Sequence, residues 1–387
     1  MKKTYCIFSA VYLPSLGGVE RYTYNLAKNL SAQGNKVIIV TCDIFHTSHL
    51  KQVEELKEVE VIRLPCINWL TKILKGRFQI IKFNKNFRKY IQQLDENVID
   101  AIIINTRFYM LSLYAARYAK KRNIDSIVIE HGTSHFTVNN KILDFLGQIY
   151  EHSVTWVLRK LVKDFYGVSK ACGTWLQHFK ISSKGECYNA IDLEEIEKLS
   201  REAVTNYRKK YDLTDEDIII TYTGRILREK GIEELVETVE HLPAYYHLFI
   251  AGDGPLYEKV SNLNNNRIKL LGRLTFKEVV GLLNESDIFC LPSYSEGFST
   301  SLLEAVACRC FIITSDTGGA KELIQTEQDG IVLDKVTERD IAKAIEKASN
   351  DKAYRDKAIE NAWAQLNKHF TWEKTTAKII EIFENGL

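Results

Sequence analysis

The feature that most constrains this chain is an alternation of short apolar runs with helix-forming segments, which recurs in both halves of the sequence. Most of the apolar runs span four to seven residues, and several end in a loop that contains glycine. Runs of this kind, without a polar residue at every second position, are typical of strands buried on both faces of a parallel sheet. The alternation therefore predicts an α/β protein with doubly wound parallel sheets.

The alternation occurs in two sets, and 387 residues are too many for one ordinary core. The first set has predicted strands at residues 5–11, 36–41, 59–64, 98–104, 126–130 and 164–168. The second has them at residues 218–223, 247–251, 267–271, 288–291, 311–314 and 330–333, after a helical stretch predicted over residues 193–211. We predict two domains, 1–190 and 191–372.

Composition excludes several classes of protein. The chain is 45% hydrophobic and 26% charged, as soluble globular proteins are, and no apolar run approaches the roughly 20 residues of a spanning helix. The basic and then apolar N-terminus soon reaches Pro14 and Gly17, so we interpret it as a strand rather than a signal peptide. The eight cysteines contain no C-x-x-C pair and are predicted to be buried free thiols in a reducing cytosol.

Charge is distributed unevenly along the chain. Residues 1–190 hold 27 Lys and Arg against 15 Asp and Glu, a net +12, whereas the whole chain is +2. The basic segment 63–89 has eight Lys and Arg interleaved with apolar residues and has no acidic residue. Such a segment could lie on an anionic membrane surface, or it could be an ordinary helix with a solvated basic face. Nucleic acid is a third option, but no nucleic-acid module accompanies it.

Two positions in the first half follow strand ends. Gly17 and Gly18 come after the first predicted strand, where ligands bind in open parallel sheets, although they could simply form a tight turn. His131 ends the predicted strand 126–130 and is followed by a glycine. A single histidine is usually structural, but this one is predicted at the edge of the sheet where functional residues collect.

The stretch from Ser293 to Ala305 combines a strand end, a glycine loop, hydroxyl residues and a helix start. Helix starts present free backbone N–H groups, which suit an anion or a set of hydroxyls. Glu296 and Glu304 are expected to face the same opening if the helix begins near residue 301. A capped surface helix with a glutamate in its first turns is the alternative.

A second candidate group follows the predicted strand 218–223. Gly224 and Arg225 come first, and Lys230 follows across a loop that enters a helix. A guanidinium and an ammonium in this place suit a diphosphate, whereas two solvated bases are the plainer interpretation. With Glu296 and Glu304 at another strand end, the set suits one ligand with phosphates and hydroxyls.

These motifs, in this order, resemble the retaining glycosyltransferases of family 4 (glycosyl transferases group 1), which have the GT-B fold. The resemblance is carried by Gly224-Arg225 with Lys230-Gly231, by residues 251–256, by the E-x7-E of Glu296 and Glu304, and by Gly318-Gly319. It covers most of the second domain and is thinner in the first. It implies two Rossmann-like domains facing across a cleft, the first binding the acceptor and the second the nucleotide sugar, with residues 373–387 returning to the first domain.

The resemblance also implies roles for individual residues. Catalytic roles fall to His131, Arg225, Lys230 and Glu296. Donor binding is assigned to Gly17, Gly18, Gly224, Arg225, Lys230, Glu296, Gly297, Phe298, Ser299, Thr300 and Glu304. No metal and no cofactor are expected to be needed for the chemistry. Ala190 and Lys321 depart from the residues common in the family, Gly and Pro, at the linker and beside Glu322.

The predicted reaction is transfer of a sugar, with retention, from a nucleotide-diphosphate sugar (a UDP-sugar) to an acceptor hydroxyl. The basic first domain points to a lipid-linked saccharide in bacterial surface-polysaccharide synthesis, and to a cytoplasmic protein peripheral on the inner face of the cell membrane. Two other classes remain open at this point. One is a non-catalytic sugar-nucleotide or saccharide-binding protein, and the other is a sugar-nucleotide epimerase of similar fold.

Overall fold

The chain forms two compact units. The structure is a computed structural model that describes residues 2–15, 17–44, 59–67, 79–137, 140–202, 205–263 and 265–386. The first unit is Met1–Asn189 with Trp372–Leu387, and the second is Ala190–Thr371. The functional roles assigned to the two domains stay predictions.

The first unit is a six-stranded parallel sheet with helices between its strands. Its strands follow the order β3-β2-β1-β4-β5-β6 across the sheet. In chain order the elements are β1 (Thr4–Ser9), α1 (Gly18–Ala32), β2 (Lys36–Asp43), β3 (Val59–Pro65), α2 (Lys85–Asp95), β4 (Ala101–Asn105), α3 (Met110–Arg122), β5 (Asp125–Glu130), α4 (Lys141–Leu158), β6 (Asp164–Gly167) and α5 (Lys170–Leu176), which continues into a 3₁₀ turn, Gln177–Phe179.

The second unit repeats this arrangement. Its sheet order, β12-β11-β10-β7-β8-β9, is the first order written from the opposite edge. Its elements are α6 (Leu193–Glu202), α7 (Tyr207–Lys210), β7 (Ile218–Thr223), a 3₁₀ turn (Arg228–Lys230), α8 (Ile232–His241), β8 (Tyr246–Ala251), α9 (Tyr257–Ser261), β9 (Ile268–Gly272), α10 (Phe276–Asn284), β10 (Ile288–Leu291), α11 (Thr300–Ala307), β11 (Phe311–Ser315), α12 (Ala320–Leu323), β12 (Ile331–Leu333), α13 (Glu338–Asn350) and α14 (Lys352–His369).

Burial on both sheet faces explains the unbroken apolar runs. In the first unit Ile7 lies between Ile39 and Ile103, and all three are fully buried. In the second, every residue of β10 is buried, and β10 pairs with β7 and β11. The prediction of two Rossmann-like doubly wound domains is confirmed.

The last helix, α15 (Trp372–Glu384), belongs to the first unit, as the resemblance implied. The ring of Trp372 meets Tyr22 edge to face, with ring centroids 5.1 Å apart. Phe383 meets Tyr5 in the same way at 6.0 Å, and Thr375 Oγ1 donates a hydrogen bond of 2.9 Å to the carbonyl of Tyr188. Aromatic packing and one hydrogen bond therefore fix this helix to the first unit.

Two predicted elements differ from the structure. The strand predicted from residue 98 begins at Ala101, because Val98 is 81% exposed and the carboxylate of Asp100 accepts a hydrogen bond from the backbone of Thr4. The helical stretch predicted over 193–211 is α6 and then α7, and Asn206 caps the start of α7 by accepting from Lys209 N. The residues between them are described only in part.

The basic segment 63–89 is described only in part, because residues 68–78 lie outside the described residues. The described part begins in β3 and ends in α2, and between them Cys66 and Ile81 form an isolated antiparallel bridge. Ile81 and Phe87 are buried in the core, while Lys82, Lys85, Arg88 and Lys89 are exposed. Some of its apolar residues are therefore core residues of the unit.

Two predictions about composition can also be compared with the structure. All eight cysteines are free and buried, which confirms the prediction of buried thiols. Among the described helices, none combines the length and the apolar character that crossing a bilayer requires.

Candidate functional site

The predicted donor residues of the second unit lie where its sheet changes winding direction. Strands β7 and β10 are neighbours in the sheet, although β8 and β9 lie between them along the chain. Ligands of open parallel sheets bind beyond the carboxyl ends of such a pair of strands. The loop after β7 carries Gly224, Arg225 and Lys230, and the loop after β10 carries Glu296 to Ser299.

An ion pair joins these two loops. Lys230 Nζ lies 2.5 Å from Glu296 Oε1, and the buried Ser293 hydroxyl donates to the same oxygen at 2.9 Å. The Lys230 side chain is 23% exposed and that of Glu296 is 13% exposed. An ammonium has three donors, so Lys230 can hold Glu296 and still bind an anion. The structure thus brings together two residues that the sequence separates by 66 positions.

The backbone of the two loops is in close contact beside this pair. Gly231 has φ +65°, and a Cβ there would stand 2.1 Å from the carbonyl oxygen of Pro292. Tyr294 N donates to Glu229 O at 2.8 Å, and the Tyr294 hydroxyl donates to Glu234 at 2.6 Å. That hydrogen bond to a carboxylate raises the pKa of Tyr294 to about 12. These contacts fix the spacing of the two loops.

Arg225 has an exposed side chain on an ordered backbone. The Tyr222 hydroxyl donates to the Arg225 carbonyl at 2.7 Å, and Ile226 N donates to Asp253 O at 3.0 Å. The glycines of the motif at residues 251–256 make room for this loop, since a Cβ on Gly252 would stand 1.8 Å from the Gly224 carbonyl oxygen. Their role is packing behind the loop that presents Arg225.

Helix α11 begins at Thr300, one residue earlier than expected. Its N-cap residue, Ser299, makes no side-chain capping hydrogen bond, so that hydroxyl does not satisfy the amides of the first turn. Glu304 lies inside this helix and is only 4% exposed. The alternative of a capped surface helix is therefore wrong, because Glu304 is buried and the Ser299 side chain forms no capping hydrogen bond.

The Gly318-Gly319 motif packs against residues 297–298. Gly318 has φ +55°, and a Cβ there would stand 2.3 Å from the Gly297 carbonyl oxygen. A Cβ on Gly319 would stand 2.6 Å from the ring of Phe298, which is 6% exposed and also contacts Phe370 edge to face at 5.1 Å. The Gly318-Gly319 motif thus supports the loop after β10 by packing directly against it.

In the first unit, Gly17 is the N-cap of α1 and Gly18 is its first residue. A Cβ on Gly17 would stand 2.5 Å from a carboxylate oxygen of Glu20, whereas a Cβ on Gly18 would meet nothing within 4 Å. Glu20 is 7% exposed, and its other oxygen accepts from the Ser15 hydroxyl at 3.0 Å. The sequence analysis missed these contacts of Glu20, because an acidic residue in the first turn of a helix is ordinarily explained by its favourable interaction with the helix dipole.

His131 is fixed as a neutral side chain. Its Nε2 lies 3.2 Å from Asn105 Oδ1, while the Asn105 amide nitrogen donates to Thr23 at 2.8 Å. The imidazole Nε2–H therefore donates to Asn105. Tyr22 meets the ring edge to face at 4.8 Å, and burial lowers the pKa of His131 to about 3.

The residues around His131 form a buried network that sequence analysis missed in part. Glu130 Oε1 accepts from the backbone N–H of both His131 and Gly132, at 3.1 and 3.0 Å. Its other oxygen accepts from Arg107 at 2.6 Å, and Arg107 also donates to Glu151 at 2.9 Å. All three charged residues are at most 2% exposed. Through these hydrogen bonds Glu130 fixes the backbone at His131 and Gly132, and so the start of this loop.

The two units thus present different chemistry. In the second unit, an ammonium, a guanidinium and helix N–H groups at neighbouring strand ends can neutralise an anion, and carboxylates there can accept hydrogen bonds from hydroxyls. In the first unit, the loop after β5 is held rigidly with a neutral imidazole. The residues singled out from the sequence lie on these loops and helix starts, and the sites and roles assigned to them stay predictions.

Comparison with known proteins gives consistent matches over nearly the whole chain. The family model described as Glycosyl transferases group 1 matches residues 203–365, and the one described as Glycosyltransferase Family 4 matches residues 16–195. An uncharacterized glycosyltransferase of Methanocaldococcus jannaschii is 25% identical, over 98% of this chain and 97% of its own length.

Two further matches differ in kind. The N,N'-diacetylbacillosaminyl-diphospho-undecaprenol alpha-1,3-N-acetylgalactosaminyltransferase of Campylobacter jejuni is 32% identical, over 38% of this chain and 40% of its own length. The crystal structure of Anabaena HepE in complex with UDP-glucose superposes with a TM-score of 0.76 at 17% identity, covering 99% of both chains. The second match shows the fold alone.

Proposed function

This chain belongs to family 4 of the glycosyltransferases (group 1), and we propose that it moves a sugar from a nucleotide-diphosphate donor to an acceptor hydroxyl with retention at the anomeric carbon. The observation that carries the proposal is the Lys230–Glu296 pair at the switch point of the second sheet. It combines a partly exposed cation with a carboxylate that Ser293 orients.

In this proposal the donor binds to the second unit. Arg225 and Lys230 bind the diphosphate, and the uncapped first turn of α11 adds backbone donors. Glu304 binds ribose hydroxyls, and Glu296 with the 297–299 backbone holds the sugar. A UDP-sugar is the proposed donor, which is supported by the bound UDP-glucose of the similarly folded HepE.

The proposed chemistry relies on charge stabilisation. As the nucleotide departs, negative charge grows on the diphosphate, and Lys230, Arg225 and helix N–H groups stabilise it. The acceptor hydroxyl attacks the same face, and the departing phosphate oxygen takes its proton. We propose that no metal takes part in this step, since fixed cations already occupy the strand ends.

In this proposal His131 and the two glycines are the residues of the first unit that contact the donor. Neutral His131 leaves its backbone carbonyl, rather than a charge, to face the anomeric carbon. Gly18 leaves open space where a side chain would stand, so the backbone can approach the phosphates. Glu20 then limits how much negative charge this helix start can accept.

The proposed acceptor is a lipid-linked saccharide of surface-polysaccharide synthesis, bound at the inner face of the cell membrane. The name of the Campylobacter relative includes a diphospho-undecaprenol acceptor. The exposed bases of the described part of segment 63–89, Lys82, Lys85, Arg88 and Lys89, can attract an anionic surface by about 1 kcal/mol each.

A donor screen tests the transferase proposal. A preferred nucleotide sugar stabilises the native chain by mass action, so the unfolding midpoint should rise with one class of UDP-, GDP- or ADP-sugar. The product with that donor and a lipid-linked acceptor should have the anomeric configuration of the donor by NMR. An inverted product, or conversion of the donor to an epimer without acceptor, would overturn it.

Membrane contact has a separate test. Flotation with vesicles of mixed neutral and anionic lipid should carry wild-type protein upward, and the variant with Lys82, Lys85, Arg88 and Lys89 changed to Gln should stay behind. The matched control changes Lys209, Lys210, Lys343 and Lys347 of the second unit. Equal flotation of both variants would contradict contact through this segment.

A further inference from the structure

We propose that His135, His152 and His178 of the first unit form a binding site for a divalent transition metal of the zinc class. The three residues come from separate elements: the loop after β5, helix α4, and the 3₁₀ turn after α5. Among the described residues their ligand atoms lie within 4.8 Å of one another. None of them belongs to the transfer site proposed above.

The spacing of the ring nitrogens is that of a metal site. His178 Nε2 lies 3.2 Å from His135 Nε2 and 3.2 Å from His152 Nε2. Tetrahedral zinc with Zn–N bonds of about 2.0–2.1 Å places its ligand nitrogens about 3.3 Å apart. Two of the three nitrogen pairs thus already stand at the edge length of such a tetrahedron, and the ligand atoms of all three histidines lie within 4.8 Å of one another.

Hydrogen bonding alone does not account for the cluster. In the neutral form of His135, donation from Nδ1 to Glu151 Oε2, 3.2 Å away, leaves His135 Nε2 as an acceptor. His178 Nε2 could donate to His135 or accept from His152, but one nitrogen cannot do both. A cation that all three nitrogens face satisfies both short contacts at once.

The groups that contact the histidines suit a cation as well. A carboxylate that holds the far nitrogen of a ligating histidine fixes its tautomer and makes it a better donor to metal. Glu151 does this for His135, and Phe136 N donates to its other oxygen at 2.8 Å. Arg107, Glu130 and Glu151 together carry a formal net charge of −1 beside the three histidines. A bound cation offsets that buried charge.

An ion can reach the site and would tie the fold locally. His152 and His178 are exposed and line an open groove with Trp156 and Arg159. The indole of Trp175 stacks on His178 with ring planes 4° apart, which limits the turning of that imidazole. Metal would clip the loop that starts at His131 to α4 and to the turn after α5.

The test measures metal binding directly on the full chain without an affinity tag. Competition with a chromogenic chelator should show one Zn²⁺ per wild-type chain, and Co²⁺ should give the visible d–d absorption of a tetrahedral nitrogen site. His152→Ala and His178→Ala, both at exposed positions, should lose that absorption. They should also lose more affinity than the about 10–100-fold expected for Glu151→Gln, which changes only the partner of His135.

The matched control is His241→Ala, which removes an exposed histidine that also has a carboxylate partner, Glu338. This variant should bind Zn²⁺ as wild type does. Zn²⁺ should also raise the unfolding midpoint of wild type, and the His152→Ala/His178→Ala double variant should show no such rise. Wild-type affinity no better than that of the double variant, or equal loss in His241→Ala, would overturn the proposal.

Discussion

Each unit carries an acid–base cluster at the carboxyl ends of its strands, and the two clusters differ in burial. In the first unit Arg107 and Glu130 are 1% and 0% exposed and fully enclosed. In the second, Lys230 and Glu296 are 23% and 13% exposed. A charge without access to water must keep its partners, whereas a charge at the rim can exchange a water for a ligand atom. The same chemistry therefore positions a loop in one unit and leaves a cation and a carboxylate within reach of solvent in the other.

The largest expected effect comes from breaking the buried cluster. Arg107→Met leaves Glu130 and Glu151 buried without their cation, which should lower the free energy of unfolding of the first unit by about 3–5 kcal/mol. It also removes the guanidinium that lies 3.9 Å from the Phe179 ring centroid. Urea unfolding followed by tryptophan fluorescence measures the loss.

Two variants control this experiment. Arg122→Ala removes a partly exposed ion pair with Asp95 in the same unit and should cost no more than about 1 kcal/mol. Adding Glu130→Gln and Glu151→Gln to Arg107→Met should restore part of the loss, because no unpaired charge remains. Equal stability of Arg107→Met and Arg122→Ala would contradict the assigned role.

The second prediction concerns the exposed pair. Lys230→Ala removes a cation placed for the departing diphosphate, so kcat/KM should fall about 10²–10³-fold. Its unfolding midpoint should move little, since a partly exposed pair contributes weakly to stability. Steady-state transfer kinetics and a melting curve measure both. The opposite pattern, normal turnover with a large loss of stability, would give the pair a structural role.

Lys347→Ala is the matched control for that change. Lys347 also pairs with a glutamate, Glu327, but far along the sequence on the outer helix α13. Both kinetic constants and the melting curve should match wild type.

The third prediction tests how the loop after β10 is supported. Gly318→Ala places an alanine at a positive φ and puts its Cβ 2.3 Å from the carbonyl oxygen of Gly297. Gly272→Ala is the control, because Gly272 has a similar φ of +69° and its Cβ would meet only the Tyr257 hydroxyl at 4.0 Å. Gly272→Ala should cost about 1–2 kcal/mol. Gly318→Ala should cost more and should also weaken nucleotide-sugar binding by calorimetry. Equal losses of unfolding free energy in the two variants would show that the backbone at Gly297 moves aside without strain, which would contradict the supporting role of Gly318.

The smallest expected effect, taken per pH unit, is a pH dependence. The pKa of His131 falls from 6.5 to about 3 through burial. Between these values the unfolded chain binds a proton that the folded chain does not, so stability is complete above pH 6.5 and is lost as pH falls. Relative to wild type, His131→Gln should flatten the slope by up to about 1.4 kcal/mol per pH unit. Parallel slopes in urea titrations at several pH values would contradict a buried neutral histidine.

The strands of both sheets were predictable because a strand that is buried on both faces consists of consecutive apolar residues. Strand β10 has the predicted bounds, while β4 begins later than predicted because Asp100 turns to bond the start of β1. Apolar content alone does not distinguish a strand from the turn before it. The C-terminal helix was assigned to the first unit only through the family resemblance.

The site residues were predictable as types at strand ends, but their partners were not. Nothing in the spacing says that Lys230 bonds Glu296 rather than a ligand, or that Tyr294 closes the loop onto Glu234. The Arg107 network and the three histidines draw on separate elements, and only the folded chain brings them together. Periodicity reports burial well, but it carries no information on which buried charges meet.

The return of α15 to the first unit has a consequence for how such a chain can be rearranged. The second unit begins and ends at neighbouring points, since Ile191 and Thr371 pair in a parallel bridge and Ile191 N donates to Phe370 O. A segment whose two ends are held together can be exchanged as a cassette without disturbing the host around it. A chimaera that replaces residues 190–371 with those of a relative should therefore fold, and its donor preference would test whether this unit selects the nucleotide sugar.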